Sequence, residues 1–409
     1  MDSKKEAARQ LAILEQGCEE LLPRAVMLAK LERSLETGKP LRVKMGIDPT
    51  ARDIHIGHMV PYGKLRQFQD LGHHAVLIIG DYTASIGDPS GRNGERPPLS
   101  RSQITQNAEA YAEQIFRIVD RGRAELRWQS EWFTSLSLAQ ILQLAGSFSL
   151  AQLLAHETFR KRYEEGVRVG LHELFYPILQ AYDSVVVEAD VELGGSDQKF
   201  NILAGRDLQK DLNQEAQCLI VMPLLPGLDG RKMSKSFGND VPVCCPPVEQ
   251  FTRIMAIADE HIARYRLLVL GDSEEACVNG ERRMADGENP IHLKKELASR
   301  IVDRLNGTGS GAAAQIEWER QFSQKEAPSD IKVFILKEAM PLSCILRESA
   351  LCASASDGRR LIAQGAVYLN DTRVDGTDPE LSPAELAETG THIRIGRRRH
   401  LQLRSQPGE

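Results

Sequence analysis

No Cys-x-x-Cys pair occurs among the seven cysteines, which stand at positions 18, 218, 244, 245, 277, 344 and 352. Their odd number and scattered spacing fit neither a disulfide framework nor a zinc ribbon, so a reducing compartment and no metal site are expected. MDSKKEAARQLAILEQGCEELL has no apolar core and is charged throughout, so no secretory leader is expected in it. The one long uncharged stretch, from Trp132 to Ala155, is punctuated by Ser135, Ser137, Gln140, Gln143, Ser147, Ser149 and Gln152, a poor match for lipid. Within it Leu138, Ile141, Leu142 and Ala145, then Leu150, Leu153 and Leu154, recur at helical spacing, which describes helices packed on protein. Internal repeats and low-complexity tracts are missing, and charge is nearly balanced, with 51 basic and 57 acidic residues giving −6 at pH 7. A soluble, cytoplasmic chain without membrane attachment is expected. At 409 residues, with 42% hydrophobic and 26% charged, it is of ordinary globular composition and long enough for two or three domains.

Strand and helix signals alternate in the first half. Residues 1 to about 35 read as one amphipathic helix. Leu41 to Ile47, Ala75 to Ile79, Val185 to Val187 and Leu219 to Met222 read as strands. Gly57 to Leu71, Ile104 to Val119 and Asp197 to Asp211 read as helices. This alternation predicts an α/β fold with a doubly wound parallel sheet, whose ligands bind beyond the carboxyl ends of the strands. After Ser236 the chain becomes charged and helix-rich, and a second change falls near residues 327–330. Three units are expected: an α/β domain over 1–236 with an inserted segment at about 110–175, a helical domain over 237–330, and a small α+β domain over 341–409.

Two motifs carry the chemistry. His55-Ile56-Gly57-His58 follows a strand and a Pro-Thr turn. At a helix start both imidazoles would sit where backbone amides attract phosphate, and Gly57 would let a nucleotide approach the backbone. A pair of surface capping histidines would read the same way. Lys232-Met233-Ser234-Lys235-Ser236 lies between Asp229-Gly230-Arg231 and Gly238-Asn239. Two ammonium groups three residues apart on a mobile loop can close over phosphate charge, although alone they would read as a solvated basic loop.

Together these segments resemble the HIGH and KMSKS signatures of class I aminoacyl-tRNA synthetases. The resemblance implies a Rossmann-like catalytic domain that activates an amino acid with ATP, accompanied by Mg2+, and transfers it to tRNA. It implies that His55, His58, Lys232 and Lys235 stabilise the transition state at the phosphates, with Gly57 and Ser234 beside the nucleotide. A third segment, Tyr176-Pro177-Ile178-Leu179-Gln180-Ala181-Tyr182-Asp183, places Tyr176, Gln180 and Asp183 on one helical face. A polar surface stripe would share that phase. The arrangement is similar to that of tyrosyl-tRNA synthetases, which implies that Asp183 accepts the substrate phenol while Tyr176, Gln180 and Asp88 hold the α-ammonium group. By the same resemblance Gly195 and Asp197 bind ribose, Gln198 lies near the tyrosine carboxylate, and Gly46 and Asp48 line the adenylate. The tryptophan enzymes share fold and signatures, but Gly194-Gly195-Ser196-Asp197-Gln198 and the Gln180 to Asp183 spacing favour tyrosine. Lys44 stands where many members carry a second tyrosine against the substrate hydroxyl, and Met45 and Pro61 where some carry cysteine and threonine.

The last seventy or so residues resemble the S four type RNA-binding domain of bacterial members. From residue 341 onward nine Arg balance nine acids, so net charge does not point to RNA. The distribution does: acids crowd between Asp371 and Glu388, while Arg359, Arg360, Arg397 and Arg398 cluster elsewhere, suited to phosphates of tRNA(Tyr). The resemblance further implies a homodimer joined through the inserted segment, for which the uncharged Trp132 to Ala155 stretch is the candidate.

Overall fold

The computed structural model describes residues 2–90, 99–322, 332–370, 372–386, 390–396 and 399–405. Gly91, the sequence break at 327–330, Arg397 and Arg398 lie outside the described residues. Two compact units are present, Met1–Ala314 and Gln315–Glu409.

The first unit is built on a six-stranded sheet of Glu20–Leu22 (β1), Arg42–Ile47 (β2), His74–Ile79 (β3), Ala124–Trp128 (β4), Val191–Gly195 (β5) and Cys218–Met222 (β6). The order is β1-β6-β5-β2-β3-β4, with β1 antiparallel at one edge and every other pairing parallel. Buried on both faces, β3 and β6 read as nearly unbroken apolar runs, as central parallel strands must. From β2 the chain winds outward through β3 to β4, then returns to β5 and winds the other way to β6. The order therefore reverses between β2 and β5, and the crevice beyond their carboxyl ends is the topological switch point where such sheets bind ligands.

Two readings of local sequence are corrected, and one strand is added. Residues 1 to 35 are not one helix: Ser3–Glu15 and Arg24–Thr37 are separated by Gly17, at φ 70°, and by the short edge strand β1. Val185 to Val187 is not a strand but the end of the helix Phe175–Val186, whose buried face outweighs the β-branched preference. Glu188, at φ 48°, turns the chain into β5 instead. Strand β4 escaped notice because Glu125 and Arg127 make it polar, as befits a sheet edge.

Two serine–glutamine pairs of the uncharged stretch serve as reciprocal helix caps. Ser137 with Gln140 opens Leu138–Ala145, and Ser149 with Gln152 opens Leu150–Leu154. One side of these helices packs Leu144 and Leu153 against Ile178, Ala181 and Leu208. Leu138, Leu142 and Leu150 remain exposed. Helices Pro247–Met255, Glu274–Ala285 and Pro290–Asn306 belong to the same unit, two of them started by proline in the first turn.

The second unit carries a sheet ordered Thr372–Arg373, Val367–Leu369, Thr391–Ile395, Arg399–Ser405, Val333–Leu336, and the helices Leu342–Glu348 and Ala355–Ala363. Leu342, Ile345, Ile362, Ile393 and Leu401 fill its core. No helix among the described residues is long and apolar enough to cross a membrane.

Candidate active site

A cavity of about 330 Å³ opens at the switch point. That volume suits a small-molecule site. It is lined by the loops after β2, β3 and β5, by the start of the helix Ile56–Asp70 and by one face of Phe175–Val186. Of the residues singled out for phosphate, nucleotide and amino acid, Gly46, Asp48, His55, Gly57, His58, Asp88, Tyr176, Gln180, Asp183, Gly195, Asp197, Gln198 and Lys232 all line it. Ser234 and Lys235 stand outside its lining.

At one end, His55 caps the helix Ile56–Asp70 from an extended conformation. Its backbone N–H donates to His58 Nδ1 at 3.3 Å, and the two rings lie 3.9 Å apart. Because His58 Nδ1 accepts, the ring proton resides on Nε2, which is left to donate elsewhere. Burial, then the neighbouring His58, Lys235 and Lys232, push His55 down to about 2. The His58 ring is exposed at the cavity, yet the protein packed around it, with the Lys235 and Lys232 charges, brings it down to about 4, against the raising effect of the His55 backbone contact. At neutral pH both imidazoles are therefore uncharged donors. A Cβ on Gly57 would meet His55 Nδ1 at 2.9 Å, so glycine is required where the two rings converge. Pro61, inside the same helix, leaves the Gly57 carbonyl without its intrahelical partner.

The basic loop, which follows β6, also comes to this end. Met233 is buried and Ser234 N–H donates to Asn239 Oδ1 at 2.8 Å, which pins the loop's base, while Gly238 at φ 63° turns it back. Lys232 Nζ lies 3.0 Å from Asp197 Oδ2, and Lys235 Nζ donates to the Asp53 carbonyl just ahead of His55. Both ammonium groups are thus near enough to act on the His55 ring, Lys232 from within the cavity lining and Lys235 from outside it.

At the other end Asp183 is 2% exposed. Gln129 Nε2 donates to its Oδ2 at 2.7 Å and Trp132 Nε1 to its Oδ1 at 3.2 Å. Burial pushes the carboxyl up to about 7, against the pull of Lys44, Gln129 and Trp132. Between the ends, Tyr176 OH donates to Asp48 Oδ2 at 2.9 Å, and Thr83 Oγ1 to Asp48 Oδ1 at 2.7 Å. Gln198 Nε2 donates to Asp88 Oδ2 at 2.7 Å, and burial raises the Asp88 carboxyl. Gly80 admits no side chain here, since a Cβ would lie 2.3 Å from both Asp48 Oδ1 and Thr83 Oγ1.

Gln129 and Trp132 were not anticipated as partners of Asp183. Their signal was the unrecognised strand β4, whose carboxyl end delivers both. Lys44 does not line the cavity. It is fully buried and pairs with Glu192 at 2.9 Å. Arg359 and Arg360 are exposed on Ala355–Ala363, with Arg360 bonded to Asp357. Among the described residues no group of three or more His, Cys, Asp and Glu side chains could hold a metal.

A family profile described as tRNA synthetases class I (W and Y) matches residues 36–323. The tyrosine–tRNA ligase of Symbiobacterium thermophilum is 45% identical over 397 residues, 96% of each chain. That of Syntrophotalea carbinolica is 42% identical over 408 residues, 98% of each. Among solved structures, a C-terminally truncated Aspergillus nidulans mitochondrial tyrosyl-tRNA synthetase shares the fold, with a TM-score of 0.62 at 21% identity over 78% of this chain and 99% of that one. Sequence match and switch-point geometry agree: the chain belongs to the class I tRNA synthetases of the tryptophan and tyrosine branch, and within it to the tyrosine–tRNA ligase family.

Proposed function

We propose that this chain activates L-tyrosine with ATP to tyrosyl-adenylate and pyrophosphate, then transfers tyrosine to the terminal adenosine of tRNA(Tyr). The observation that carries the reading is Asp183: a buried carboxylate, held through both oxygens, in the same cavity as His55, His58 and Lys232. A phenol is the group such an acceptor selects, and an indole N–H would sit on a different part of the ring system. Tyr176, Gln180 and Asp88 hold the α-ammonium group, and Gln198 the carboxylate. Gly46, Asp48 and Gly57 line the adenylate, while Gly195 and Asp197 take the ribose.

The tyrosine carboxylate attacks the α-phosphate in line and pyrophosphate leaves; a ribose hydroxyl of tRNA then attacks the mixed anhydride. No side chain acts as a covalent nucleophile, so catalysis is positioning and charge stabilisation. Neutral His55 and His58 donate N–H bonds to phosphate oxygens. Lys232 exchanges Asp197 for the departing phosphates, Lys235 gives up the Asp53 carbonyl, and Ser234 keeps the loop's turn. Magnesium arrives as the companion of ATP.

Exposed Leu138, Leu142 and Leu150 support a homodimer joined through the 110–175 insert. The 237–330 segment, described as far as residue 322, serves the anticodon side of the tRNA, and Arg359, Arg360, Arg397 and Arg398 of the 341–409 domain take tRNA phosphates. The reaction is a cytoplasmic one. ATP–pyrophosphate exchange with each amino acid in turn tests the core of this: exchange is expected with tyrosine alone, and exchange with tryptophan, or with none, would overturn it.

A further inference from the structure

A charged network lies beside the amino-acid end of the cavity without entering it. Lys44 on β2 and Glu192 on β5 are register partners in the parallel ladder, and both side chains are essentially sealed from solvent. The Lys44 ammonium, besides its ion pair, donates to the Gln180 carbonyl at 2.9 Å and to Ser184 Oγ at 2.7 Å. Glu192 accepts from Gln180 Nε2 at 3.1 Å, Ser184 Oγ at 3.0 Å and Gln217 Nε2 at 2.5 Å. Gln180 is therefore gripped twice, by its carbonyl from β2 and by its amide from β5. Ser184, next to Asp183, is gripped by both partners as well.

Central parallel strands ordinarily fill such positions with apolar side chains. A buried ion pair there is costly to desolvate and seldom adds net stability, whereas fixed hydrogen-bond directions define one arrangement of the groups it holds. We propose that Lys44 is a positioning residue for the amino-acid substrate, fixing with Glu192 the helical turn that presents Gln180 and Asp183 to it. This rests on the tyrosine-activating function set out above. The pair also sets the field at Asp183. The groups bearing on that carboxyl are Lys44 from β2, which favours its ionised form, Glu192 from β5, which opposes it, and the Gln129 and Trp132 donors beyond β4. Tyr176, bonded to Asp48, lies on Asp183's own helix.

The test uses the full chain and two variants, K44M and K44M/E192Q, in tyrosine-dependent pyrophosphate exchange. Absence of exchange in the unsubstituted protein would defeat the functional reading and is thereby distinguished from failure of this proposal. The double variant removes both charges while keeping a hydrogen-bonding amide at position 192. It is expected to raise KM for tyrosine roughly tenfold, leaving KM for ATP within about twofold. In K44M the acid limb of kcat/KM for tyrosine is expected to move to higher pH, because Glu192 alone then bears on Asp183; in the double variant it returns toward its original position. If K44M does not fold, the KM split in the double variant decides. Unchanged tyrosine KM in a folded double variant would overturn the proposal. So would tyrosine and ATP KM values rising together, or a double variant that cannot fold, since either marks the pair as scaffolding alone.

Discussion

Replacing Asp183 by asparagine keeps the shape of the side chain and removes its charge. The phenol of tyrosine then loses an ionised acceptor, a bond worth about 1.5–3 kcal/mol, so kcat/KM for tyrosine should fall roughly 10- to 150-fold. The asparagine NH2 must also face one of the two N–H groups, from Gln129 or Trp132, that now donate to the carboxylate. That mispairing is present with and without substrate, so its cost of about 1–3 kcal/mol falls on folding and not on kcat/KM. Phenylalanine has no hydroxyl to lose, so its kcat/KM should hold or rise and the tyrosine preference should shrink by at least the same factor.

Stability adds a second readout for the same variant. Burial raises Asp183 from 3.8 to about 7, so between those values the folded chain keeps a proton that the unfolded chain has released. The contribution of Asp183 to stability therefore declines as pH rises through that window, and asparagine should become relatively more favourable from pH 4 to 7. Pyrophosphate exchange with both amino acids and urea unfolding across pH measure these effects. A tyrosine kcat/KM within about threefold of the original would remove Asp183 from hydroxyl recognition.

Three further outcomes are expected. Lys235→Met should lower kcat of adenylate formation about 100-fold with little change in KM for tyrosine, the mark of a contact made in the transition state; equal losses in tyrosine affinity would count against it. Gly80→Ala should part Asp48 from Thr83, costing about 1–3 kcal/mol of stability and raising KM for tyrosine, and unaltered melting and kinetics would contradict the geometry. Depression of His55 and His58 from 6.5 to about 2 and about 4 means that the unfolded chain binds protons the folded chain refuses, so stability should fall as pH drops below 6.5. The double substitution His55→Asn with His58→Asn should flatten that slope; an equally steep slope in its unfolding curves would refute the assignment.

Much of this protein is legible without coordinates because its chemistry is written in short, local patterns. The glycine between His55 and His58, the paired lysines, the Tyr176-to-Asp183 helical face and the strand–helix alternation each depend on neighbours a few residues away. Failures came where local preference met tertiary competition, as when packing carried a helix through Val185 and Val186. An edge strand too polar to stand out likewise concealed the two residues that hold Asp183.

What the sequence by itself determined is which candidate polar groups the chain supplies and the order in which it supplies them. Only the tertiary structure decided how they meet: that Lys235 reaches the Asp53 carbonyl, that Tyr176 bonds Asp48, and that Lys44 turns from the cavity to Glu192. The reason is physical. Backbone preference and capping act between adjacent residues, whereas desolvation and Coulomb energy depend on distances between side chains far apart in the chain, and the fold alone sets those distances.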